Sequence, residues 1–510
     1  MSLLIGIDVG TTHCKGGVYD YQGKECAFLK TDTQIRWDCA GGAVIDANTL
    51  WESVCFLVKG LTDKVNPKDI DAISVASMAE AGVPLDRHGQ PLYPIICWFD
   101  KRSQPQSDWW VKNFGPRFVF EITGVVPSYK YTLTKLMWLK AEHPQIITKC
   151  CTWLCVADYI CYLLGGKKVM NKSLACRTMA FDLTKDAYSR EMLEVAGVPH
   201  QIMPPIVESG QVIGSVSALA ARETGLLQGT PVVTGGHDHV CGALATGILT
   251  DEYALDSSGT AEAVIVALNS PRLDWEIGEK GLTVGHHVMK DMYYLMGGMS
   301  ASGASVEWFK SFVEGKKKEN RPGISYNTLM SEAANFDPFS TGLVFVPYLR
   351  GSGAPWPDPS RKGAILGLRD YHGQAHVTRA ILEGVSFQLR AAVLAIQEVL
   401  GHQLDHLRVT GGGAKNKMWL QLKADITGKH FEVPQVEEAS TLGAALLAGV
   451  GAGVYENGKQ AAHSVYRVKE TVFPDKEKHR IYVKAFEDVY VPLQKILGEV
   501  DRLITSSHLE

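Results

Sequence analysis

Two glycine–threonine turns, far apart in one chain, constrain this sequence most. The first is Asp8-Val9-Gly10-Thr11-Thr12, directly after the apolar run Leu3-Leu4-Ile5-Gly6-Ile7. The second is Asp256-Ser257-Ser258-Gly259-Thr260, followed by Ala263-Val264-Ile265-Val266-Ala267-Leu268. A tight turn rich in glycine and hydroxyl groups exposes backbone N–H donors, which is what a phosphate needs. One such turn is an ordinary hairpin. One in each half of the chain predicts two similar domains that close on a polyphosphate from opposite sides.

The 510 residues leave room for two large domains or about three smaller ones. The net charge of −4 supplies no basic field for nucleic acid or anionic lipid, so a small anion must be held by local geometry. No uninterrupted apolar stretch of about 18 residues predicts a membrane span, and the first residues lack the pattern of a signal peptide. The 11 cysteines form no CxxC pair and all lie at or before Cys241. That usage predicts reduced thiols and a cytoplasmic protein.

Strands and helices alternate along the chain, which predicts an α/β architecture in both halves. Residues 3–20 read as a hairpin, 48–66 as an amphipathic helix, and 71–76 and 92–98 as strands. Helices follow near 132–142, 156–164 and 189–195, and a strand over 231–234 runs into Gly235-Gly236-His237-Asp238-His239. The second half carries a very apolar helix over 378–400, closed by Gly401, and a strand over 407–410 that feeds Gly411-Gly412-Gly413. Helices at 415–427 and 440–449 complete it. The expected domains are 1–246 and 247–510.

Several residues in this frame can do chemistry. Asp8 ends a strand beside the first turn, where phosphate would repel a carboxylate unless Mg²⁺ lay between them. Lys15 is near enough in sequence to reach the same phosphates, and Thr260 adds a hydroxyl to the second turn. Asp238 follows a strand and two glycines, so it should project into a cleft, where a carboxylate can take the proton of an attacking hydroxyl. A helix-capping aspartate is the plainer alternative. His237 and His239 have metal-ligand spacing, with His286-His287 as further ligands, but no acidic cluster accompanies them. Gly411–Gly413 partly mimics a dinucleotide fingerprint, with Glu432 roughly 20 residues on, although Asn416 stands at the third glycine position. Trp98-Phe99-Asp100-Lys101-Arg102 combines a flat apolar face with an acceptor and a fork of donors, the mix that holds sugars. A core tryptophan beside an ion pair is the commoner outcome.

Taken in order, the motifs resemble the FGGY carbohydrate kinases along nearly the whole chain. They run from Gly6-Ile7-Asp8-Val9-Gly10-Thr11-Thr12 through Trp98-x-Asp100-x-Arg102 and Lys135-Leu136-Met137-Trp138-Leu139 to Pro204–Gly210 and Gly229–Val233. They continue with Ser258-Gly259-Thr260, Pro347-Tyr348-Leu349, Arg379-Ala380-x-x-Glu383-Gly384 and Gly411-Gly412-Gly413-Ala414. The resemblance implies two ribonuclease H-like domains of the actin and hexokinase ATPase type, with a catalytic cleft between them. It implies ATP and Mg²⁺ as cofactors, Asp238 as general base and Asp8 as the residue that organises the metal. Gly10, Thr11, Thr12, Lys15, Gly259 and Thr260 would hold phosphates, and Gly303, Gly411, Gly412, Gly413 and Asn416 the nucleotide. Met78, Glu80, Trp98, Asp100, Arg102 and His237 would face the sugar.

The expected activity is ATP-dependent phosphorylation of a primary hydroxyl of a ketose. Ser77-Met78-Ala79-Glu80 lacks the Gln-Met-His of xylulokinases and keeps only the Glu of the Arg-Glu of glycerol kinases. Gly236-His237-Asp238 is most similar to the fuculokinase branch. A fuculose-like or xylulose-like ketose is therefore expected, with glycerol, erythritol or gluconate as alternatives. An NAD-dependent oxidoreductase and a sugar sensor without turnover are the rivals from other classes. The expected partners are a small-molecule sugar and ATP, with neither nucleic acid nor membrane and with a homodimer left open.

Overall fold

The computed structural model describes residues 2–38, 41–315 and 324–507. Two mixed sheets dominate it. The first consists of β1 (Leu3–Val9), β2 (His13–Asp20), β3 (Glu25–Asp32), β4 (Ile70–Ser77), β5 (Val212–Ser215) and β6 (Pro231–His237), in the order β5-β6-β4-β1-β2-β3. The second consists of β7 (Tyr253–Ser258), β8 (Glu262–Leu268), β9 (Thr283–His286), β10 (Tyr293–Met299), β11 (His406–Thr410), β12 (His430–Pro434) and β13 (Val468–Val472). Its order is β9-β10-β8-β7-β11-β12-β13.

The two sheets share one plan. In each, three antiparallel strands form a meander, and two parallel strands then pair on the far side of the first: β3-β2-β1-β4-β6 and β10-β8-β7-β11-β12. The pair of Gly-Thr turns follows from this duplication, because each turn joins the first two strands of its sheet.

Strand alternation explains which side chains face what. Leu3, Ile5, Ile7 and Val9 enter one core with Val54, Leu57, Val58 and Leu61 of helix α1 (Ala47–Thr62). Leu4 enters a second core, shared with helix α2 (Asp238–Ala245). Gly6 and Asp8 lie on the Leu4 side. The helices α3 (Gly303–Glu314), α4 (Gln374–Leu400), α5 (Lys417–Thr427) and α6 (Ala439–Gly451) follow. A Cβ on Gly6 would lie 1.9 Å from the Thr441 carbonyl oxygen, so α6, from the second half, rests directly on β1. A Cβ on Gly443 would lie 1.9 Å from the Cys241 carbonyl oxygen, so α6 and α2 also touch at the backbone.

The apolar helix expected at 378–400 begins at Gln374. By length and composition it could cross a membrane, but 94% of its apolar stretch is buried inside the fold. The strand expected at 92–98 shrinks to Ile95–Ile96. Pro94 has no N–H to give a ladder, and a turn that bonds Asp100 N–H to the Cys97 carbonyl (3.3 Å) ends the run. The helix expected at 415–427 starts at Lys417, after a 3₁₀ turn over Gly412–Lys415.

Candidate active site

The parallel strands of the first sheet end in register. Val9 pairs with Ser77 and Ser77 with His237, so β1, β4 and β6 deliver Asp8, Met78–Glu80 and Asp238 to one edge. Ligands in such sheets bind beyond the carboxyl ends of the strands. Asp238 opens α2, and its side chain keeps 20% of its surface exposed. Its Oδ1 accepts the backbone N–H of His239 at 2.7 Å, and His237 Nε2 lies 3.3 Å from the same oxygen.

Both carboxyls are pushed up to about 7, chiefly by burial. Asp238 adds repulsion at Asp8, Glu80 adds it at Asp238, and Lys15 opposes the shift at both. Asp8 Oδ1 is buried without a hydrogen-bond partner. Burial also drives His237 and His239 below the ordinary imidazole range, so both rings are neutral at pH 7. His239 Nδ1 lies 3.1 Å from Ser257 Oγ on β7, which ties the Asp238 segment to the second sheet.

The sugar-facing candidates form a wall beside Asp238. Trp98 Nε1 donates to Thr11 Oγ1 at 2.9 Å, and Thr11 Oγ1 lies 3.8 Å from Met78 Sδ. Glu80 has φ +63°, a left-handed conformation that costs a non-glycine residue energy and is held only by its surroundings. Here the holder is Lys135. Its Nζ is fully buried and donates to the Glu80 carbonyl at 2.7 Å. Burial lowers that amine to about 8. Arg177, from a 3₁₀ turn, donates Nε to Glu80 Oε1 at 2.8 Å. Asp100 and Arg102 pair with each other, Nε to Oδ1 at 2.9 Å and Nη2 to Oδ2 at 2.7 Å. The Ala43 N–H also donates to Asp100 Oδ2, so this carboxylate shapes the loop that carries Trp98.

The nucleotide candidates gather at the second turn. Gly259 carbonyl accepts the Gly303 N–H at 3.1 Å, and Thr260 carbonyl accepts those of Ser302 and Ala304. Gly411 has φ +85°, and a Cβ there would lie 2.5 Å from the Ser258 carbonyl; on Gly413 it would lie 2.1 Å from Ser258 Oγ. Gly412 has nothing within 4 Å of its Cβ position and opens to the outside. Asn416 Oδ1 caps α5 by accepting the Trp419 N–H at 3.0 Å. In the first turn, Thr33 fixes Gly10 through its hydroxyl (2.7 Å) and Thr12 through its N–H (2.9 Å). Thr12, Gly259 and Thr260 are exposed. Lys15 Nζ lies 2.7 Å from Glu438 Oε2, at the start of α6.

Sequence reasoning missed Arg177, Glu438 and the buried support beneath the second turn. There Lys423 Nζ meets Asp256 Oδ2 at 2.9 Å, Ser258 Oγ at 2.7 Å and Glu262 Oε1 at 3.1 Å. No local pattern marks Lys423, which lies on the buried side of an ordinary helix. His286 and His287 do not join a metal set. His286 Nε2 pairs with Asp186 at 3.0 Å, and burial lowers His287 to about 3. His237, Asp238 and His239 do have ligand atoms within 4.8 Å of one another. Glu432 binds Arg408 and Tyr466, so it does not serve as the acid of a dinucleotide site. A cavity of about 680 Å³ around Gly247, Tyr253 and Arg408 holds none of the candidate residues.

Residues 3–245 match the N-terminal domain of the FGGY family of carbohydrate kinases, and residues 255–452 match its C-terminal domain. Xylulose kinase of Bacillus subtilis strain 168 is 30% identical over 490 residues, 96% of each chain. L-xylulose/3-keto-L-gulonate kinase of Escherichia coli strain K12 is 28% identical, over 95% of each chain. The solved structure of ligand-bound xylulose kinase from Lactobacillus acidophilus superposes with a TM-score of 0.88 at 23% identity, covering 98% of this chain and 99% of the other.

Proposed function

This chain belongs to the FGGY family of carbohydrate kinases, enzymes with two ribonuclease H-like domains that use ATP, and from that premise we propose that it phosphorylates a primary hydroxyl of a ketose, with xylulose as first candidate. The observation that carries this reading is Asp238. It sits at a strand end, partly open to the cleft, with its carboxyl raised to about 7. A base of that strength is matched to taking a hydroxyl proton near neutral pH.

In this reading the sugar lies along Trp98, Met78 and Glu80, and its terminal oxygen points at Asp238. The oxygen attacks the γ-phosphorus in line as Asp238 takes its proton. Neutral His237 and His239 leave the carboxylate free to accept it. The two turns hold the phosphates through backbone N–H groups and through Thr12 and Thr260. The unpartnered, buried Oδ1 of Asp8 fits a hard divalent cation, so Asp8 would hold Mg²⁺. When bound, the ion would offset the charge of the phosphates. The names of the relatives support xylulose over a fuculose-like ketose.

A panel of D-xylulose, L-xylulose, L-fuculose, glycerol and gluconate, read by coupled ADP release, tests the assignment. One ketose should exceed glycerol in kcat/KM by on the order of 100-fold or more, because a site built for hydroxyls rejects a substrate that leaves buried groups unpaired. A preference for glycerol would refute the ketose reading.

A further inference from the structure

The acceptor wall holds several basic side chains but little free positive charge. Arg177 is bound to Glu80, Lys15 to Glu438 and Arg102 to Asp100. Lys135 lies behind Glu80 and donates to main-chain carbonyls. Lys130 stands at the half-buried rim, its ammonium 5.1 Å from the Tyr131 ring centre. The carboxyl of Asp238 stands close enough to Glu80 for Glu80 to repel its charge.

Arg177 is fixed independently of Glu80. Its guanidinium lies 5.3 Å from the centre of the Tyr131 ring, and its Nη1 donates to Thr283 Oγ1 at 3.3 Å. The Glu80 backbone is fixed by Lys135. A preformed arginine fork beside the base would be a receptor for a carboxylate, which it matches with two parallel hydrogen bonds. Glu80 already occupies it. A sugar acid entering this site would meet two carboxylates and an arginine already engaged, so like charges would repel it. An uncharged sugar needs only hydrogen bonds, which Glu80 and Asp238 can accept.

We propose that Glu80 is a charge-selecting residue: by occupying Arg177 it confines the acceptor site to uncharged sugars and rejects sugar acids. The proposal deepens the ketose reading and rests on it for the pose of the sugar. The related kinases do not decide the point, since one of them is named for both L-xylulose and 3-keto-L-gulonate.

The test compares D-xylulose with D-gluconate for the wild type, Glu80→Gln and the double variant Glu80→Gln/Arg177→Met, by ADP release and by calorimetric gluconate binding. The wild type should favour the neutral sugar by at least about 100-fold in kcat/KM. Glu80→Gln should gain about 10-fold or more on gluconate in absolute terms, and the double variant should lose that gain. A gain of this kind cannot come from structural damage. The proposal is overturned if the wild type uses gluconate as well as a ketose, or if it binds gluconate through Lys130 so that Lys130→Met abolishes binding. It is also overturned if folded Glu80→Gln gains nothing. The wild-type comparison stands even if Glu80→Gln fails to fold. A wild type that prefers glycerol to every ketose, yet still rejects gluconate, would refute the ketose reading and support charge selection.

Discussion

At the level of single residues, the raised carboxyls of Asp8 and Asp238 have consequences that can be measured. A base must be ionised to act, so kcat/KM should fall as the pH drops below about 7. Asp238→Asn should keep the fold and lower kcat by about 10²-fold to 10⁴-fold. Near-wild-type turnover in that variant would remove Asp238 as the base. Stability moves the opposite way with pH. An ordinary aspartate titrates near 3.8, so between there and about 7 the native state holds protons that the unfolded chain has lost. The stability these groups contribute is full below about 4 and is lost as the pH rises through about 7. The buried histidines act with the opposite sign, so the informative quantity is the wild-type minus Asp238→Asn difference in Tm, measured without divalent cations. It should decline over that range, and a flat difference would mean the shifts are absent. Asp8, Thr11, Trp98 and Asp238 were legible in the sequence because each sits beside a strand-end motif. Arg177 and Lys423 were not, because their partners come from elsewhere in the chain, and the helix that carries Lys423 shows nothing in its pattern that marks a lysine as a buried support.

At the level of elements, β1, β6 and β7 were readable because their apolar runs end at glycines, and β4 as an apolar run over 71–76. The duplicated strand order was less so, since it depends on which distant strands pair and no local pattern records that. Least visible was the contact of α2 with α6. Gly443 reads as one more small residue in an apolar helix, yet its α-hydrogen side touches the Cys241 backbone. Neither helix can retreat easily, because α6 is also pressed on β1 at Gly6. The added methyl of Gly443→Ala should therefore separate the helices at a cost of about 1–3 kcal/mol. It should also lower kcat, because Asp238 is the first residue of α2. Thermal unfolding and steady-state kinetics of this one variant check both effects. An unchanged Tm would show that the backbones are not in contact, and a lower Tm with unchanged kcat would separate this packing from the position of the base.

At the level of the whole molecule, the two halves touch at the backbone in two places, along α6 and beside β9. At the first, α6 lies on β1 and Tyr19 OH bonds Thr441 Oγ1 at 2.7 Å. Arg408, on β11, also donates to the carbonyls of Thr246 and Gly247, where α2 leaves the first half. Beside β9 the Val284 N–H donates to the Gly124 carbonyl at 2.9 Å, His286 pairs with Asp186 and Arg177 donates to Thr283, while at the strand ends Lys15 meets Glu438 and His239 meets Ser257. A polyphosphate gripped by both Gly-Thr turns would bridge the strand ends, while backbone contacts hold the halves elsewhere. Motion should then be rotation about these backbone contacts, with the strand ends approaching each other. The driving force is differential binding, since ATP contacts both turns only in the closed form. Small-angle scattering should give a smaller radius of gyration with D-xylulose plus a non-hydrolysable ATP analogue than with either ligand alone. Sugar by itself contacts mainly the first half and should change the radius little. A radius that stays constant in all ligand states would mean that the turns already stand at their bound separation, and closure would then play no part in assembling the site.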